Sequence, residues 1–201
     1  MMNRSKSTSE TSVLQKPVSQ ASGCLHRIIP SGSAMHDLGQ ALARALQQAT
    51  QTIQAVQVQQ KEQPYHHTAG WVVYLSGQLG AGKTRLCQGL LAGLGYQGAV
   101  KSPTYTLVES YAVACASVVR NVHHFDFYRI GDPEELELFG IRDYFTTDSL
   151  CLMEWPERVP GFLPTADLMI HIAIDQEQPE QRRLYLEVKS YAAGLWLQHL
   201  P

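Results

Sequence analysis

Residues 75–86 read LSGQLGAGKTRL and contain the pattern G-x-x-x-x-G-K-T at positions 77–84. The apolar run WVVYL at 71–75 precedes the pattern and predicts a buried strand, and the apolar segment 86–94 after it predicts a helix. A glycine-rich loop between a strand and a helix binds phosphate groups through backbone N–H donors at the helix N-terminus. We therefore predict an α/β fold: a single P-loop NTPase-like domain with a mixed central sheet and flanking helices.

The phosphate-binding loop also predicts which residues contact a nucleotide. Lys83 is expected to reach the β- and γ-phosphates, and the Thr84 hydroxyl is expected to bind Mg²⁺. Guanine-specific P-loop proteins commonly carry N-K-x-D, which neither Asn3 nor Asn121 begins, so ATP is the expected nucleotide. The alternative is a glycine-rich turn that happens to precede a lysine. The predicted contact residues are Gly77, Gln78, Leu79, Gly80, Ala81, Gly82, Lys83, Thr84 and Arg85.

Glu154 is the first of two acids that could complete the site. It follows the apolar run LCLM at 150–153, where a P-loop protein carries an acid that holds Mg²⁺ or orients water. Glu154 could bind Mg²⁺ through water or act as a general base; the alternative is a surface glutamate at a strand end. Trp155 comes next and belongs either to the core, which is slightly favoured, or to a contact surface.

Asp126 is the second acid, within HHFDFYR at 123–129. On a strand its side chain points the same way as that of His124 and opposite to the flanking phenylalanines. This pattern indicates a deliberately polar position, and a structural salt bridge to Arg129 is the alternative. The division of roles between Asp126 and Glu154 stays open.

The segment KSPTYT at 101–106 is a third polar feature. Its donors could contact a γ-phosphate or reach outward to a partner protein, and a plain loop with a proline turn is the alternative. The candidate partner contacts are Lys101, Ser102, Thr104 and Trp155.

The rest of the chain fits one domain with attachments. Residues 1–24 predict a disordered tail and residues 25–201 the ATPase domain, in which the glutamine-rich segment 49–69 either extends a helix or forms a loop, with helix followed by loop favoured. Further strands are predicted at 25–29, 150–153, 168–174 and 183–189, a hairpin at 105–114 and 117–127, and helices at about 31–48 and 132–140.

Composition limits the function classes. The formal net charge of -2 argues against a protein that grips nucleic acid by itself. The four cysteines, Cys24, Cys87, Cys115 and Cys151, form no C-x-x-C pair and are expected to be buried thiols rather than metal ligands. The absence of a signal-like or membrane-spanning apolar run predicts a soluble, cytoplasmic protein.

Four blocks occur in one order: GQLGAGKT, KSPTYTLVESY, HFDFYRIGDPEELELFGIRDYF and LCLMEWPE. Together, over about residues 31–190, they resemble the TsaE (YjeE) family, the ATPase subunit of bacterial tRNA threonylcarbamoyladenosine biosynthesis. The resemblance implies a P-loop fold and slow, Mg²⁺-dependent ATP hydrolysis. It also implies two larger partners, TsaB and TsaD, which modify the adenosine next to the anticodon in tRNAs reading codons that begin with A. Contact with tRNA would be indirect, through the complex.

Carried over by motif, the resemblance assigns Lys83 and Thr84 as the loop pair, Asp126 as the acid of the HFD block and Glu154 with Trp155 as the EW pair. Lys83, Asp126 and Glu154 are thus the candidate catalytic residues, and Thr84 and Glu154 the candidate metal ligands.

The sequence departs from the family at two positions beside the site. Gln78 stands where members usually have Asp, and Met35 stands where a Thr usually precedes the first helix. The rival interpretation is a P-loop small-molecule kinase, which should show an acceptor pocket and an arginine-bearing lid. Arg129 and Arg142 are isolated in the sequence, and no lid segment is evident. A third possibility is a nucleotide-gated binding module without meaningful turnover.

Overall fold

The computed structural model describes residues 23–59, 70–114 and 119–201. In this part of the chain one sheet has seven strands in the order β1-β7-β6-β2-β5-β4-β3. Strands β6, β2, β5 and β4 are parallel neighbours, whereas β7, β1 and β3 pair antiparallel at the two edges, so the predicted mixed sheet is confirmed. The strands are β1 (Cys24–Ile29), β2 (Trp71–Ser76), β3 (Val108–Ala112), β4 (Asn121–Asp126), β5 (Ser149–Glu154), β6 (Leu168–Ile174) and β7 (Arg182–Val188).

Four α-helices flank the sheet in the described ranges: α1 (Gly32–Gln59), α2 (Lys83–Gly93), α3 (Glu135–Phe139) and α4 (Tyr191–Gln198). Short 3-10 turns occur at Ile141–Tyr144 and Pro156–Arg158. None of the helices in these ranges combines the length and the apolar character that crossing a membrane requires.

Two hydrophobic cores lie on opposite faces of the sheet, because alternate strand residues point to opposite sides. Along β2, Val73 and Leu75 enter the core covered by α1, α2 and α4, whereas Val72 enters the core covered by α3. Strand β5 has no exposed residue, as expected for a strand with parallel neighbours on both sides and both faces covered.

The helix that follows the phosphate-binding loop is fixed by close packing against α1. A side chain at Gly89 of α2 would place its Cβ 2.0 Å from the His36 carbonyl oxygen of α1, so only glycine fits there. On the other side of α1, the buried Trp196 of α4 donates a 2.8 Å hydrogen bond to the Leu42 carbonyl. These contacts join the helix after the loop to a closely packed layer of α1, α2 and α4.

Several element boundaries differ from the prediction. Helix α2 begins at Lys83 rather than 86, so the lysine and threonine of the motif lie in its first turn. Helix α1 runs to Gln59 rather than ending near 48, and the first part of the glutamine-rich segment therefore extends it. Residues 60–69 and residues 1–22 of the predicted tail at 1–24 lie outside the described residues, whereas Cys24, the last residue of that tail, begins β1.

The predicted hairpin forms between β3 and β4, with shorter strands than expected. Helix α3 starts at Glu135 instead of 132, because Asp132 accepts a hydrogen bond from the Glu134 N–H in a preceding turn. Helix α4 was not predicted; the Ser190 hydroxyl caps it by accepting a hydrogen bond from the Ala193 N–H at 3.1 Å.

Candidate functional site

The phosphate-binding loop joins the carboxyl end of β2 to the start of α2, as its motif requires. Gly77, Gly80 and Gly82 have φ values of 151°, 77° and 105°, in the region that favours glycine. A Cβ at Gly77 would also lie 2.3 Å from the Ile172 carbonyl oxygen of β6. The loop is therefore a conformation that only these glycines allow.

Lys83 is a buried cation at the base of this loop. Its Nζ donates to the Gly77 carbonyl at 2.7 Å and lies 4.1 Å from the centre of the Trp155 ring. Burial lowers the pKa of Lys83 from its ordinary 10.5, while the charges of Glu154 and Asp126 oppose that shift. The ammonium group is thus held by neutral carbonyls and a ring face, which leaves its charge available to an anion.

Glu154 lies at the carboxyl end of β5 with only 3% of its surface exposed, so the alternative of a surface glutamate is wrong. Its Oε1 accepts a 2.8 Å hydrogen bond from Thr84 Oγ1 and lies 2.8 Å from His124 Nε2. Among the described residues, His124 Nδ1 is buried without a partner. An unpaired buried N–H is costly, so the ring proton belongs on Nε2 and is donated to Glu154.

His124 is a site residue that the sequence prediction missed. The signal was its place two residues before Asp126, on the same strand face. Its neighbour His123 faces the other way, as expected, with Nδ1 2.8 Å from Ser110 Oγ. Because β4 and β5 are parallel, Asp126 pairs directly with Glu154, and the two acids meet at one edge of the sheet.

Asp126 is tied to neighbouring backbone and loop rather than to a cation. Its Oδ2 accepts a hydrogen bond from Thr104 Oγ1 at 3.0 Å, and its Oδ1 accepts one from the Tyr128 N–H at 3.0 Å. The alternative salt bridge to Arg129 is not formed. Ser102 Oγ lies 2.6 Å from Thr104 Oγ1, so the segment 101–106 is anchored to the acid of β4.

These features meet at a cavity of about 340 Å³. The cavity brings together residues predicted from four separate segments: the phosphate-binding loop, the segment 101–106, the segment around Asp126, and Glu154 with Trp155. It also includes Tyr128 and Arg129, which the sequence prediction did not assign to the site. The lining residues are Leu79, Gly80, Gly82, Lys83, Thr84, Ser102, Thr104, Asp126, Tyr128, Arg129, Glu154 and Trp155.

Some predicted contacts do not line this cavity. Arg85 turns away and donates to the Gly32 carbonyl of α1 and to Gln88. Lys101 is exposed outside the cavity lining. Ala81 is buried, and Met35 packs beside Gly82 from α1. Because its side chain is buried, Ala81 could contact a nucleotide only through its backbone groups.

Trp155 has features of both alternatives considered for it. Its ring is half-buried against the core under α3, packs 4.9 Å from the Tyr128 ring and also lines the cavity. Its φ of 59° is rare for a residue other than glycine. Its N–H donates to the Leu75 carbonyl at 3.2 Å, which fixes this conformation directly after Glu154. Strained backbone of this kind is common at functional sites.

The cysteine beneath the site is a packing group. Ligand atoms of Cys87, His124 and Glu154 lie within 4.8 Å of one another, a grouping that sequence spacing did not reveal. Burial raises the pKa of the Cys87 thiol well above its ordinary 9.0, and the Glu154 charge adds to this shift. The neutral thiol is a poor metal ligand. Cys151 is likewise buried, whereas Cys24 is exposed, contrary to the expectation of buried cysteines, and Cys115 lies outside the described residues.

The donor set fits a nucleotide with Mg²⁺. Oriented backbone N–H groups and the Lys83 ammonium suit phosphate oxygens. The Thr84 hydroxyl donates its proton to Glu154, so its lone pairs remain free for a cation. Hydroxyl and carboxylate oxygens are the ligands that Mg²⁺ prefers.

Comparisons with known proteins point to one family. The family model "Threonylcarbamoyl adenosine biosynthesis protein TsaE" matches residues 29–184. A tRNA threonylcarbamoyladenosine biosynthesis protein TsaE from Haemophilus influenzae is 57% identical over 107 residues, which cover 53% of this chain and 65% of the relative. The protein of the same name from Bacillus subtilis is 39% identical over 103 residues, which cover 51% of this chain and 61% of the relative. The chain therefore matches less than two thirds of the length of these two relatives.

A solved structure shows the same fold. The crystal structure of Bacillus subtilis YdiB superposes with a TM-score of 0.63 at 22% identity, covering 90% of this chain and 97% of that one. The family model spans most of the chain, including the phosphate-binding loop and both acids. From this match we conclude that the chain belongs to the TsaE family.

Proposed function

We propose that this chain is a Mg²⁺-dependent ATP hydrolase that supports N6-threonylcarbamoylation of the adenosine next to the anticodon in tRNAs reading codons that begin with A. The observation that carries the proposal is the convergence of Lys83, Thr84 and Glu154 in one cavity, with Thr84 Oγ1 2.8 Å from Glu154 Oε1. The names of the family and of its relatives supply the pathway.

Each site residue has a role that follows from its contacts. The loop N–H groups and Lys83 would hold the phosphates of ATP, which the enzyme uses as a substrate. Thr84, with Glu154 as a further candidate ligand, would hold Mg²⁺, which when bound offsets negative charge on the phosphate oxygens. Glu154 is buried and oriented by two hydrogen bonds, which suits an acid that accepts a proton from the attacking water.

Asp126 would position the segment 101–106 beside the phosphates, because it accepts the Thr104 hydrogen bond at the cavity wall. It could also share the proton-accepting role with Glu154, since the two acids are paired across β4 and β5. Substituting Asp126 and Glu154 one at a time would show which acid positions the segment 101–106 and which accepts the proton.

The proposed partners are TsaB and TsaD. A chain with a formal net charge of -2 is poorly suited to bind tRNA alone, so contact with tRNA would pass through the complex. The candidate partner contacts are Lys101, Ser102, Thr104 and Trp155. Lys101 and Ser102 are exposed, and Thr104 connects their loop to Asp126 inside the cavity. A partner that moves this loop would therefore act directly on the site.

One observation favours the rival kinase function. A second cavity of about 320 Å³ adjoins the first and shares Thr104, Asp126 and Arg129 with it. A kinase would use such a cavity for an acceptor molecule. Product analysis separates the two functions: hydrolysis yields ADP and inorganic phosphate from ATP and Mg²⁺ alone. If the γ-phosphoryl group were instead transferred only to an added metabolite, the kinase function would replace the proposed hydrolase function.

A further inference from the structure

Arg129 lies between the two cavities. We infer that Arg129 is a catalytic residue of the proposed ATP hydrolase: its guanidinium contacts the γ-phosphate during hydrolysis, and it rests on the Tyr105 ring at other times. The inference rests on the proposed function and extends it.

The backbone of Arg129 is anchored at the site while its side chain is exposed. Just before it, Phe127 is fully buried, and its N–H donates to the Glu154 carbonyl at 3.1 Å. Just after it, the buried Ile130 donates its N–H to the Phe127 carbonyl at 3.1 Å. Arg129 is therefore held at the tip of a short turn fixed to the same strand end as Glu154, with its side chain in the wall of the nucleotide cavity.

The charge of Arg129 has no acidic partner in the described residues. Two other arginines in the described residues are paired with acids: Arg142 lies 2.7 Å from Glu137, and Arg183 lies 2.6 Å from Asp175. A guanidinium carries five N–H donors in a planar fork that matches phosphate oxygens. An arginine whose donors are unused in the wall of a cavity that also contains Lys83 is suited to bind an anion there.

The contact that Arg129 does make is easily exchanged. Its guanidinium carbon lies 4.4 Å from the centre of the Tyr105 ring, and Tyr105 is 84% exposed. Cation–π contacts at exposed sites are weak, whereas a forked contact to phosphate is among the stronger polar interactions. Because Arg129 borders both cavities, rotation of its side chain alone would carry the guanidinium from the ring into the nucleotide cavity.

The chemistry of hydrolysis gives a further cation beside Lys83 a role. In hydrolysis the water oxygen bonds to the γ-phosphorus as the bond to the β,γ-bridging oxygen breaks, giving ADP and inorganic phosphate. Negative charge is spread over the γ-phosphate oxygens in the transition state, and an arginine there typically raises turnover by orders of magnitude. Arg129 stays protonated throughout, and the water proton leaves to a cavity carboxylate or to the phosphate.

The test compares Arg129→Ala and Arg129→Lys with Arg142→Ala as the matched control, since Arg142 is exposed and does not line the cavity. We expect Arg129→Ala to lower kcat by about 10²-fold or more, because the contact stabilises the transition state. Affinity for ADP should be unchanged, since ADP has no γ-phosphate. Arg129→Lys should recover little, because lysine cannot present the fork. Arg142→Ala should behave as wild type.

Tyr105→Ala tests the resting contact. Removing the ring should raise kcat while leaving ADP affinity unchanged; an unchanged or lower kcat would show that the ring does not hold the guanidinium back. For the main inference, a wild-type kcat in Arg129→Ala would overturn it, provided that Lys83→Ala has lost nucleotide binding or turnover. If Lys83→Ala also hydrolyses ATP like wild type, the proposed function itself fails.

Discussion

Thr84 and Glu154 are joined by a 2.8 Å hydrogen bond between Oγ1 and Oε1, although 70 residues separate them in the chain. The bond connects the first turn of α2 to the end of β5. It fixes the orientation of the hydroxyl that is expected to meet Mg²⁺ and of the carboxylate that is expected to meet the attacking water. Substitutions around this pair are therefore the first to test.

Glu154→Gln keeps the shape of the side chain and removes its charge. We expect ATP still to bind and hydrolysis to fall by about 10²-fold or more, as is typical when a positioned acid–base group is lost. Nucleotide binding by calorimetry and phosphate release measure the two effects separately. Glu137→Gln, at an exposed acid that does not line the cavity, is the control. Turnover near wild type in Glu154→Gln would make Asp126 the acid to test next.

Lys83→Ala removes the buried cation of the loop. We expect nucleotide affinity or turnover to fall by about 10²-fold or more, because the charge of Lys83 lies at the base of the loop, where the phosphates are expected. The melting temperature should change little, because the hydrogen bonds that Lys83 donates in the described residues go to loop carbonyls. Lys189→Ala, an exposed lysine on the other side of the fold paired with Glu187, is the control. Unchanged hydrolysis in Lys83→Ala would contradict the site assignment.

Arg182 holds the phosphate-binding loop from outside the cavity. Its guanidinium donates to the Ala81 carbonyl at 3.0 Å and the Gly80 carbonyl at 3.3 Å. These bonds turn the loop carbonyls outward, so Arg182→Ala should weaken nucleotide binding by about tenfold, the scale of a charge-assisted hydrogen bond. Arg183→Ala is a closely matched control, because Arg183 pairs with Asp175 instead. Equal nucleotide affinities in Arg182→Ala and Arg183→Ala would show that Arg182 does not support nucleotide binding through the loop.

Thiol reactivity tests the packing beneath the site. Burial raises the pKa of Cys87 and of Cys151, the latter to about 12, so neither forms the reactive thiolate at pH 8. Alkylation of the native protein should therefore label exposed Cys24 and spare Cys87 and Cys151, whereas in the denatured chain all four cysteines of the sequence should react. Peptide mass spectrometry reads each position. Rapid native labelling of Cys87 would show that the helix layer over β4 and β5 opens easily.

Local patterns predicted the centre of this fold. The apolar runs that became β2 and β5, the glycines between β2 and α2, and the acid that ends β5 are all decided by short stretches of sequence. Helix α1 ran past the predicted end because Ala49 and Ile53 continue its apolar face among the glutamines. Helix α4 was missed because its short sequence YAAGLWLQ is mostly apolar and shows no clear helical periodicity of apolar and polar residues.

Contacts between distant segments could not be read from the sequence. The bond between His124 and Glu154 depends on the parallel register of β4 and β5. The hydrogen bond from Arg182 to the Ala81 carbonyl of the loop joins residues 101 positions apart. A salt bridge between Asp126 and Arg129 was a reasonable alternative from spacing alone. It fails because Thr104 and the Tyr128 backbone take the carboxylate and the Arg129 side chain turns toward Tyr105.

Trp155 is the residue through which a partner would most directly sense the site. It contacts Lys83 with its ring and follows Glu154 in the chain. We expect Trp155→Ala to weaken binding to the TsaB–TsaD pair, or activation by it, more than it weakens basal ATP binding. Complex formation by size-exclusion chromatography and nucleotide affinity are compared in the same preparations. A larger loss in nucleotide affinity than in complex formation would assign Trp155 to the nucleotide instead.

The central claim is that ATP hydrolysis at this site sustains tRNA modification. The direct measurement is multiple-turnover threonylcarbamoylation of tRNA by TsaB and TsaD, with phosphate release followed in parallel, adding the wild-type chain, Glu154→Gln or no third protein. We predict slow ATP hydrolysis by the chain alone, faster hydrolysis with the partners, and repeated turnover of modification only with the wild-type chain. Full multiple-turnover modification without this chain, or with Glu154→Gln at a wild-type rate, would contradict the claim.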